Sequence, residues 1–202
     1  MCMKRPLKIA AWSGILLVIV SFVVGIISAA LTKFPLAQTI ISIIWGLIGG
    51  VLTILFLNGF LVLGKKYKNS LLKVTSWIGI IMAVLFILVG LAGNIVSLSN
   101  GSYIQNNSKW PFGEGNDDAL IGLVLSLIGV WIMFSLIFGA ITILWGIGLM
   151  RLEKKVEHAR VTGILNIIAG ATYIILVGYI IGMVALVFEM VLMFKASKKL
   201  ER

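Results

Sequence analysis

Long apolar runs, separated by short polar segments, make up most of the chain. Five of them carry almost no charge: residues 9–31, 36–63, 74–98, 119–150 and 161–194. Each reaches or exceeds the roughly 20 residues that an α-helix needs to cross about 30 Å of hydrocarbon. Lipid offers the backbone no hydrogen bonds, so runs of this kind form helices, and the short alternating segments of a membrane β-barrel are absent. The pattern predicts an all-α integral membrane helical bundle, a single transmembrane domain over residues 1–202.

A basic-then-apolar phrase opens three parts of the chain. It reads KIAAWSGIL at residues 8–16, KVTSWIGII from Lys73 and RVTGILNII from Arg160. The first two phrases share a tryptophan one turn after the basic residue, a position that suits the boundary between lipid and water. The phrase therefore marks the start of a helix in three repeated units.

The spacing of the basic residues repeats as well. Lys8 and Lys65 are 57 positions apart, and Lys73 and Arg151 have the same spacing once a polar loop at residues 99–119 is removed. We therefore predict two equivalent helical hairpins, the second of which carries an outer loop.

The third unit, residues 161–194, is long for one helix and short for two. One helix would be about 50 Å long at 1.5 Å per residue, whereas two helices of about 17 residues lie at the short limit for spanning. A tight turn near residues 177–179 is favoured because it returns the last basic cluster to the side of the others. We predict six transmembrane helices in three repeated hairpins, with five as the alternative. The predicted helices lie at about 9–31, 37–63, 74–98, 120–149, 161–177 and 179–194.

Charge predicts the orientation and the partners. Fifteen of the 17 basic residues fall in four clusters at helix ends, within residues 4–8, 65–73, 151–160 and 195–202. Segments rich in Lys and Arg stay in the cytoplasm, so we expect a multi-pass protein of the cell membrane with cytoplasmic N- and C-termini. The same clusters would attract anionic lipids. The net charge of +10 does not indicate nucleic-acid binding, because no aromatic-basic platform accompanies it.

Composition narrows the classes of function. With 60% hydrophobic and 12% charged residues, the chain has too much apolar surface for a soluble fold of its size. It contains one cysteine and one histidine, His158. A haem-ligating histidine pair, an intramembrane Ser-His arrangement and a CxxC pair are therefore not available. We predict a non-enzymatic protein with no cofactor and no metal.

Glu189 is the one acidic residue inside an apolar run. An ionisable group within the membrane is costly and is a functional hypothesis by default. Glu189, Asn166 and Asn58 each lie six or seven positions from a basic cluster, about 9 Å in from the cytoplasmic end at 1.5 Å per residue. They are predicted to form one polar layer, either a proton- or cation-responsive site open to the cytoplasm or a set of interhelical hydrogen bonds of about 0.6 to 2 kcal/mol.

Glycine is frequent in the predicted helices. Gly46 and Gly50 match the four-residue spacing of small residues that lets two membrane helices approach closely, and we predict that they pack against a neighbouring helix. Gly178 and Gly182 have the same spacing. If Gly178 serves the turn of the final hairpin, this second match has no packing meaning.

Two segments carry a resemblance to a known family: GFLVLGKKYKNSLLKVTSWIGII at residues 59–81 and GLMRLEKKVEHARVTGILNIIAGATYIILVGYIIGMVALVFEMVLMF at residues 148–194. They resemble the uncharacterised prokaryotic multi-pass membrane proteins grouped as domain of unknown function nine-nine-six. The resemblance covers most of the chain, and the glycine-rich final hairpin is its most telling part. It implies a prokaryotic integral membrane protein and supplies no activity and no catalytic residues.

Two functions stay open at this point. The first is a non-enzymatic structural or regulatory membrane component that packs against a membrane protein partner or forms a homo-oligomer. The second is a small transporter or channel, or a subunit of one, for an ion or small solute. Transport predicts that Asn58, Asn94, Asn166 and Glu189 face a shared interior cavity, whereas a scaffold predicts a broad small-residue face exposed on the monomer.

Overall fold

The computed structural model describes residues 4–104, 117–175 and 177–199, and the elements in these ranges are helices. The predicted all-α helical bundle is confirmed. The centre of the predicted outer loop, residues 105–116, lies outside the described part of the chain, and the two ends of that loop belong to helices. The elements are α1 (Lys4–Ala30), α2 (Pro35–Lys66), α3 (Ser70–Ile104), α4 (Asp117–Met150), α5 (Ala159–Thr172), a 3-10 turn (Tyr173–Ile175) and α6 (Val177–Lys199).

Five of these helices, all except α5, are long and apolar enough to cross a membrane. The remaining one, α5 continued by its 3-10 turn, is a shorter apolar helix over Ala159–Ile175. Large apolar side chains cover the outside of the bundle, among them Phe22 at 72% exposure and Ile180 at 67%. Water would penalise such a continuous apolar surface and lipid does not, so the chain is a multi-pass membrane protein.

The apolar stretch at residues 161–194 folds into two antiparallel helices rather than one long helix. The turn between them is possible because residue 178 has no side chain. A Cβ atom at Gly178 would overlap the carbonyl oxygen of Ala169 and the backbone nitrogen of Tyr173. The 3-10 turn ends at Ile175 and α6 begins at Val177, so the turn predicted near residues 177–179 was placed too late and Gly178 lies in the first turn of α6. Gly178 and Gly182 both face Tyr173, so their four-residue spacing packs the last two helices together.

The six helices form a closed ring in chain order. Each helix packs on its neighbours in the sequence, and α6 packs on α1 to close the ring. The least extensive of these contacts joins α3 and α4, so the ring is most loosely sealed on that side.

Three basic connecting or terminal segments meet at one end of the ring, which we name the basic end: residues 65–73, 151–160 and 195–199. Lys199 Nζ donates a 2.8 Å hydrogen bond to the carbonyl oxygen of Lys155, and Lys155 Nζ donates one of 3.4 Å to the carbonyl oxygen of Tyr67. The common end of these segments follows from an even number of antiparallel helices.

The repeated phrase places small residues where helices meet. The positions two and three residues after the basic residue are buried in all three units. They are Ala10 and Ala11, Thr75 and Ser76, and Thr162 and Gly163. Trp12 and Trp77 occupy the next position and are 57% and 48% exposed. The repeat therefore reflects a common packing geometry, in which the tryptophan faces lipid.

Large buried side chains concentrate at the basic end. They include Phe60, Leu63, Leu72, Leu149, Leu192 and Met193, and they form one apolar core. Leu152 and Val156, on the connection between α4 and α5, join this core at 1% and 2% exposure. The connection between α4 and α5 therefore packs into the basic end of the ring and closes it. By contrast, residues 17–30 of α1 and residues 36–48 of α2 contain no buried side chain.

Two glycine pairs bring α4 and α5 into backbone contact. A Cβ atom at Gly139 would lie 2.5 Å from the carbonyl oxygen of Gly170, and one at Gly146 would lie 2.5 Å from that of Gly163. On each helix the two glycines are seven positions apart, which is about two turns and therefore one face. Backbone contact of this kind is what small residues provide in membrane bundles.

The glycines predicted to pack behave differently from each other. Gly50 lies directly against the Ile87 side chain on α3, which agrees with a packing role, whereas a Cβ atom at Gly46 would meet nothing within 4 Å. The backbone contact between α4 and α5 thus follows a seven-residue spacing, whereas Gly46 takes no part in a helix seam.

Candidate binding cavity

A cavity of about 490 Å³ lies inside the ring and is lined by α2, α3, α4, α5 with its 3-10 turn, and α6. Three helices contribute lining residues at positions i, i+3, i+4 and i+7, which is one face of an α-helix. These positions are 79, 82, 83 and 86 on α3, 138, 141, 142 and 145 on α4, and 179, 182, 183 and 186 on α6. A cavity of this volume is in the range that holds drug-sized organic molecules.

Glu189 and Asn166 form the polar floor of the cavity. Asn166 Nδ2 donates a 2.9 Å hydrogen bond to Glu189 Oε1, and it also donates a 3.0 Å bond to the carbonyl oxygen of Thr162 one turn earlier. Both side chains are 7% exposed. The hydrogen bond joins α5 to α6 and orients the carboxyl group beside the cavity.

Trp145 completes the floor from α4. Its indole N–H lies next to the Glu189 carboxyl group, yet it makes no hydrogen bond that meets the usual limits of distance and angle. A buried donor without a partner costs about 1 to 3 kcal/mol. The indole ring itself is held by an edge-to-face contact with Phe60, with centroids 4.6 Å apart. The floor therefore contains a hydrogen-bonded carboxyl group beside an indole N–H that makes no hydrogen bond of regular geometry.

Aromatic rings form the walls above this floor. Phe86 on α3 and Phe138 on α4 stack with centroids 5.6 Å apart, which bridges the loosely packed side of the ring. On the opposite wall, Tyr179 lies between Tyr173 and Trp131, with centroid distances of 4.9 and 5.5 Å. The walls are thus mainly apolar and aromatic, and the hydroxyls of Thr53 and Thr142, which also line the cavity, donate to carbonyl oxygens of their own helices.

The cavity is closed towards the basic end and open away from it. At the floor, Trp145 and Phe56 are 7% and 6% exposed, whereas Met183 and Phe86, farther from the basic end, are 71% and 48% exposed. Beyond the floor lies the apolar core that fills the basic end. The expectation of a site open towards the basic end is therefore wrong, because packed side chains separate Glu189 from that end.

A second cavity of about 310 Å³ continues from the first between α2 and α3. The two share Thr53, Ala83 and Phe86 as lining residues, so they are contiguous. Asn94 lines the far part of the second cavity, and its Nδ2 donates a 2.8 Å hydrogen bond to the carbonyl oxygen of Gly90. Polar groups therefore lie along one continuous space.

The structure brings together two of the three residues predicted to form a polar layer. Asn166 and Glu189 bond directly, whereas Asn58 is half-buried on α2 and does not line the cavity. Gly46 and Gly50 both line the second cavity. The predicted polar layer is therefore reduced to the hydrogen-bonded pair of Asn166 and Glu189 in the first cavity. The two glycines lie beside the second cavity.

Sequence reasoning missed the aromatic walls and Trp145. Their positions repeat every three or four residues, but nearly all neighbouring positions are apolar too, so no contrast marks the inner face. The usable signal was the recurrence of aromatic or Met residues at seven-residue spacing, as at Phe138 and Trp145.

A charged cluster lies at the basic end, outside the cavity. Lys195 Nζ is 2.6 Å from Glu157 Oε1 and 2.6 Å from His158 Nε2. The hydrogen bond from Lys195, followed by its positive charge, lowers the pKa of Glu157 below its ordinary value of 4.5. Lys195 is thus engaged by the connection before α5. Within the described ranges, no group of three His, Cys, Asp or Glu side chains is close enough to hold a metal ion.

No family model, curated protein or solved structure matches the chain in comparisons with known proteins. The fold and the cavity are therefore described from the structure alone. The resemblance of residues 59–81 and 148–194 to a known family stays a prediction.

Proposed function

We propose that this membrane protein binds a small solute inside its helical ring and acts as a small transporter or channel, or as a subunit of one. The observation that carries the proposal is the Asn166–Glu189 pair at the closed end of an aromatic cavity. A structural pair would be expected in a tight helix seam, whereas this one borders a space of about 490 Å³. In the proposal the protein carries out no chemical conversion and needs no cofactor.

The shape of the cavity supports one-sided access. Transporters of many folds hold their substrate near the middle of the membrane and expose the site to one side at a time. Here the basic end is packed and the other end is open. With the basic end in the cytoplasm, where anionic lipids would contact its lysines, the cavity would face the outside of the cell membrane.

The test measures whether water-soluble reagents reach the cavity. We expect Leu186→Cys, in a Cys2→Ser background, to react with a small cationic methanethiosulfonate reagent in intact vesicles, because Leu186 lines the cavity. Val187→Cys is the matched control, since the side chain of Val187, next to Leu186 in the sequence, is 52% exposed on the outside of α6 and does not line the cavity. A thiol in hydrocarbon does not ionise, and only the thiolate reacts. Equal, slow reaction at both positions would show that no solute pathway exists.

A second candidate is a structural or regulatory component with a membrane protein partner or a second copy of the chain. It is favoured by the open space around Gly25 on α1 and Gly129 on α4, where a Cβ atom would meet nothing within 4 Å. These glycines lie on the exposed outer halves of the helices. Cross-linking in native membranes, followed by mass analysis in mild detergent, would detect a stable partner that this candidate requires.

A further inference from the structure

We propose that the solute is a hydrophobic monocation, an aromatic or quaternary ammonium or phosphonium compound that places its charge against Glu189. The inference rests on the proposed function, because it names the solute class for the same cavity.

The charges around the cavity floor favour a cation. Among the described residues that line the cavity, Glu189 is the only Asp, Glu, Lys, Arg or His. The nearest base along α6, Lys195, is already held by Glu157 and His158. A buried carboxylate without a positive partner is costly. A cation that enters the cavity would supply the missing partner, and an anion would meet repulsion at the floor.

The aromatic walls of the cavity also favour a cation. A cation is attracted to the faces of Trp, Tyr and Phe, and the attraction grows when water is excluded. The cavity presents such rings from α2, α3, α4, α5 with its turn, and α6, namely Phe56, Phe86, Phe138, Trp145, Tyr173 and Tyr179. The apolar walls would also bury the hydrocarbon part of the ligand, at roughly 25 cal/mol per Å² of apolar area.

The floor is poorly suited to small metal ions. Calcium takes six to eight oxygen ligands and magnesium demands an octahedral set, whereas the floor offers one carboxyl group and the amide of Asn166. The indole N–H of Trp145 lies beside the carboxyl without a hydrogen bond of regular geometry, and it is a donor, so it adds no ligand for a metal ion. An organic cation, which needs one counter-charge and an apolar enclosure, fits these groups.

Two ions of similar shape and opposite charge provide the test. Tetraphenylphosphonium and tetraphenylborate would be compared by equilibrium dialysis with the full chain in nanodiscs of uncharged phosphatidylcholine, and benzyltrimethylammonium would serve as a smaller cation. We expect saturable binding of a cation and at least tenfold weaker binding of the borate. Saturable binding of neither cation would overturn the inference, and so would equal affinities for phosphonium and borate.

Two variants test whether Glu189 is the group that binds the cation. Glu189→Gln should weaken cation binding at least tenfold and still accept the hydrogen bond from Asn166 through its amide oxygen. Glu153→Gln is the matched control, because Glu153 pairs with Arg160 outside the cavity at 3.7 Å, and we expect its affinity to be unchanged. Unaltered binding in Glu189→Gln would also overturn the inference.

The two levels of the proposal fail separately. If Leu186→Cys reacts quickly and neither cation binds, the solute class is wrong and the solute pathway stands. If Leu186→Cys reacts no faster than Val187→Cys, the proposed function itself fails.

Discussion

Asn166 Nδ2 and Glu189 Oε1 are joined by a 2.9 Å hydrogen bond across the last hairpin, between residues 23 positions apart. The bond connects a short helix to a long one near the end where the apolar core is densest. It also leaves the carboxyl group beside a cavity rather than inside a seam. One contact therefore both joins α5 to α6 and holds a carboxyl group at the cavity.

The first prediction separates these two roles. Asn166→Ala removes the donor and leaves the Glu189 carboxyl buried without it, so we expect a loss of about 1 to 2 kcal/mol in stability. Glu189→Gln keeps an acceptor and should lower stability by less. Thermal unfolding of both variants in the same detergent measures the difference, and a larger loss for Glu189→Gln would contradict the assigned hydrogen bond.

The second prediction concerns the glycine pairs of α4 and α5. Gly146→Ala would place a methyl group 2.5 Å from the carbonyl oxygen of Gly163, which forces the helices apart and should cost about 1 to 3 kcal/mol. Gly46→Ala meets nothing within 4 Å, and alanine favours a helix by about 0.5 to 1 kcal/mol over glycine.

Thermal denaturation monitored by size-exclusion chromatography compares these two alanine variants. Gly146→Ala should unfold at a lower temperature than the parent protein, and Gly46→Ala at the same or a higher temperature. A loss of equal size in both variants would mean that backbone contact at Gly146 is not the cause.

The third prediction concerns topology. Because the final hairpin reverses the chain, cysteines introduced at Lys68, Lys154 and Lys198 should all be labelled from the same face of the membrane by an impermeant maleimide. Under the positive-inside rule that face is the cytoplasm. Labelling of intact and permeabilised cells gives the answer. Labelling of Lys198→Cys from the opposite face would contradict the antiparallel pairing of α5 and α6.

The fourth prediction concerns acid. The pKa of Glu157 is lowered in the folded protein by the hydrogen bond and charge of Lys195. A lowered folded value means that the pair stabilises the fold above the ordinary pKa of 4.5 and loses this contribution as pH falls through the lowered value. We expect the melting temperature to decline below about pH 4.5, and to decline less in Glu157→Gln. Because Glu157 is exposed, the difference should be small, and identical pH profiles would contradict a role for the pair.

Helix formation could be predicted because it depends on local composition and on the solvent. The runs at residues 36–63 and 74–98 are apolar at nearly every position, and lipid permits few structures other than a helix for such a run. The break in residues 161–194 was also predictable, since a basic cluster at each end favours a return to one side. The break comes slightly before the predicted position, because α5 ends in the 3-10 turn Tyr173–Ile175 and α6 begins at Val177, where Gly178 packs against the backbone of α5.

The face that each helix packs against its neighbours was harder to predict from the sequence. Gly46 and Gly50 have equivalent sequence signals, yet only Gly50 lies against a neighbour, Ile87. In a soluble helix, polar residues would mark the outer face, but lipid accepts apolar side chains on both faces. The seven-residue pairing of Gly139 with Gly146 acquires meaning only from the opposing pair on α5.

Asn166 and Glu189 could be singled out from the chain because polarity is rare in its helices, and their equal depth followed from counting residues. Their bond depends on how α5 and α6 rotate about their axes, the exclusion of Asn58 depends on the rotation of α2, and the cavity depends on how all the helices from α2 to α6 pack. The sequence by itself therefore determined the solvent, the helices and the common end of the basic segments, all of which follow from local hydrophobicity and charge. Only the tertiary structure decided which faces meet and where space remains, because close packing between non-adjacent segments sets those relations.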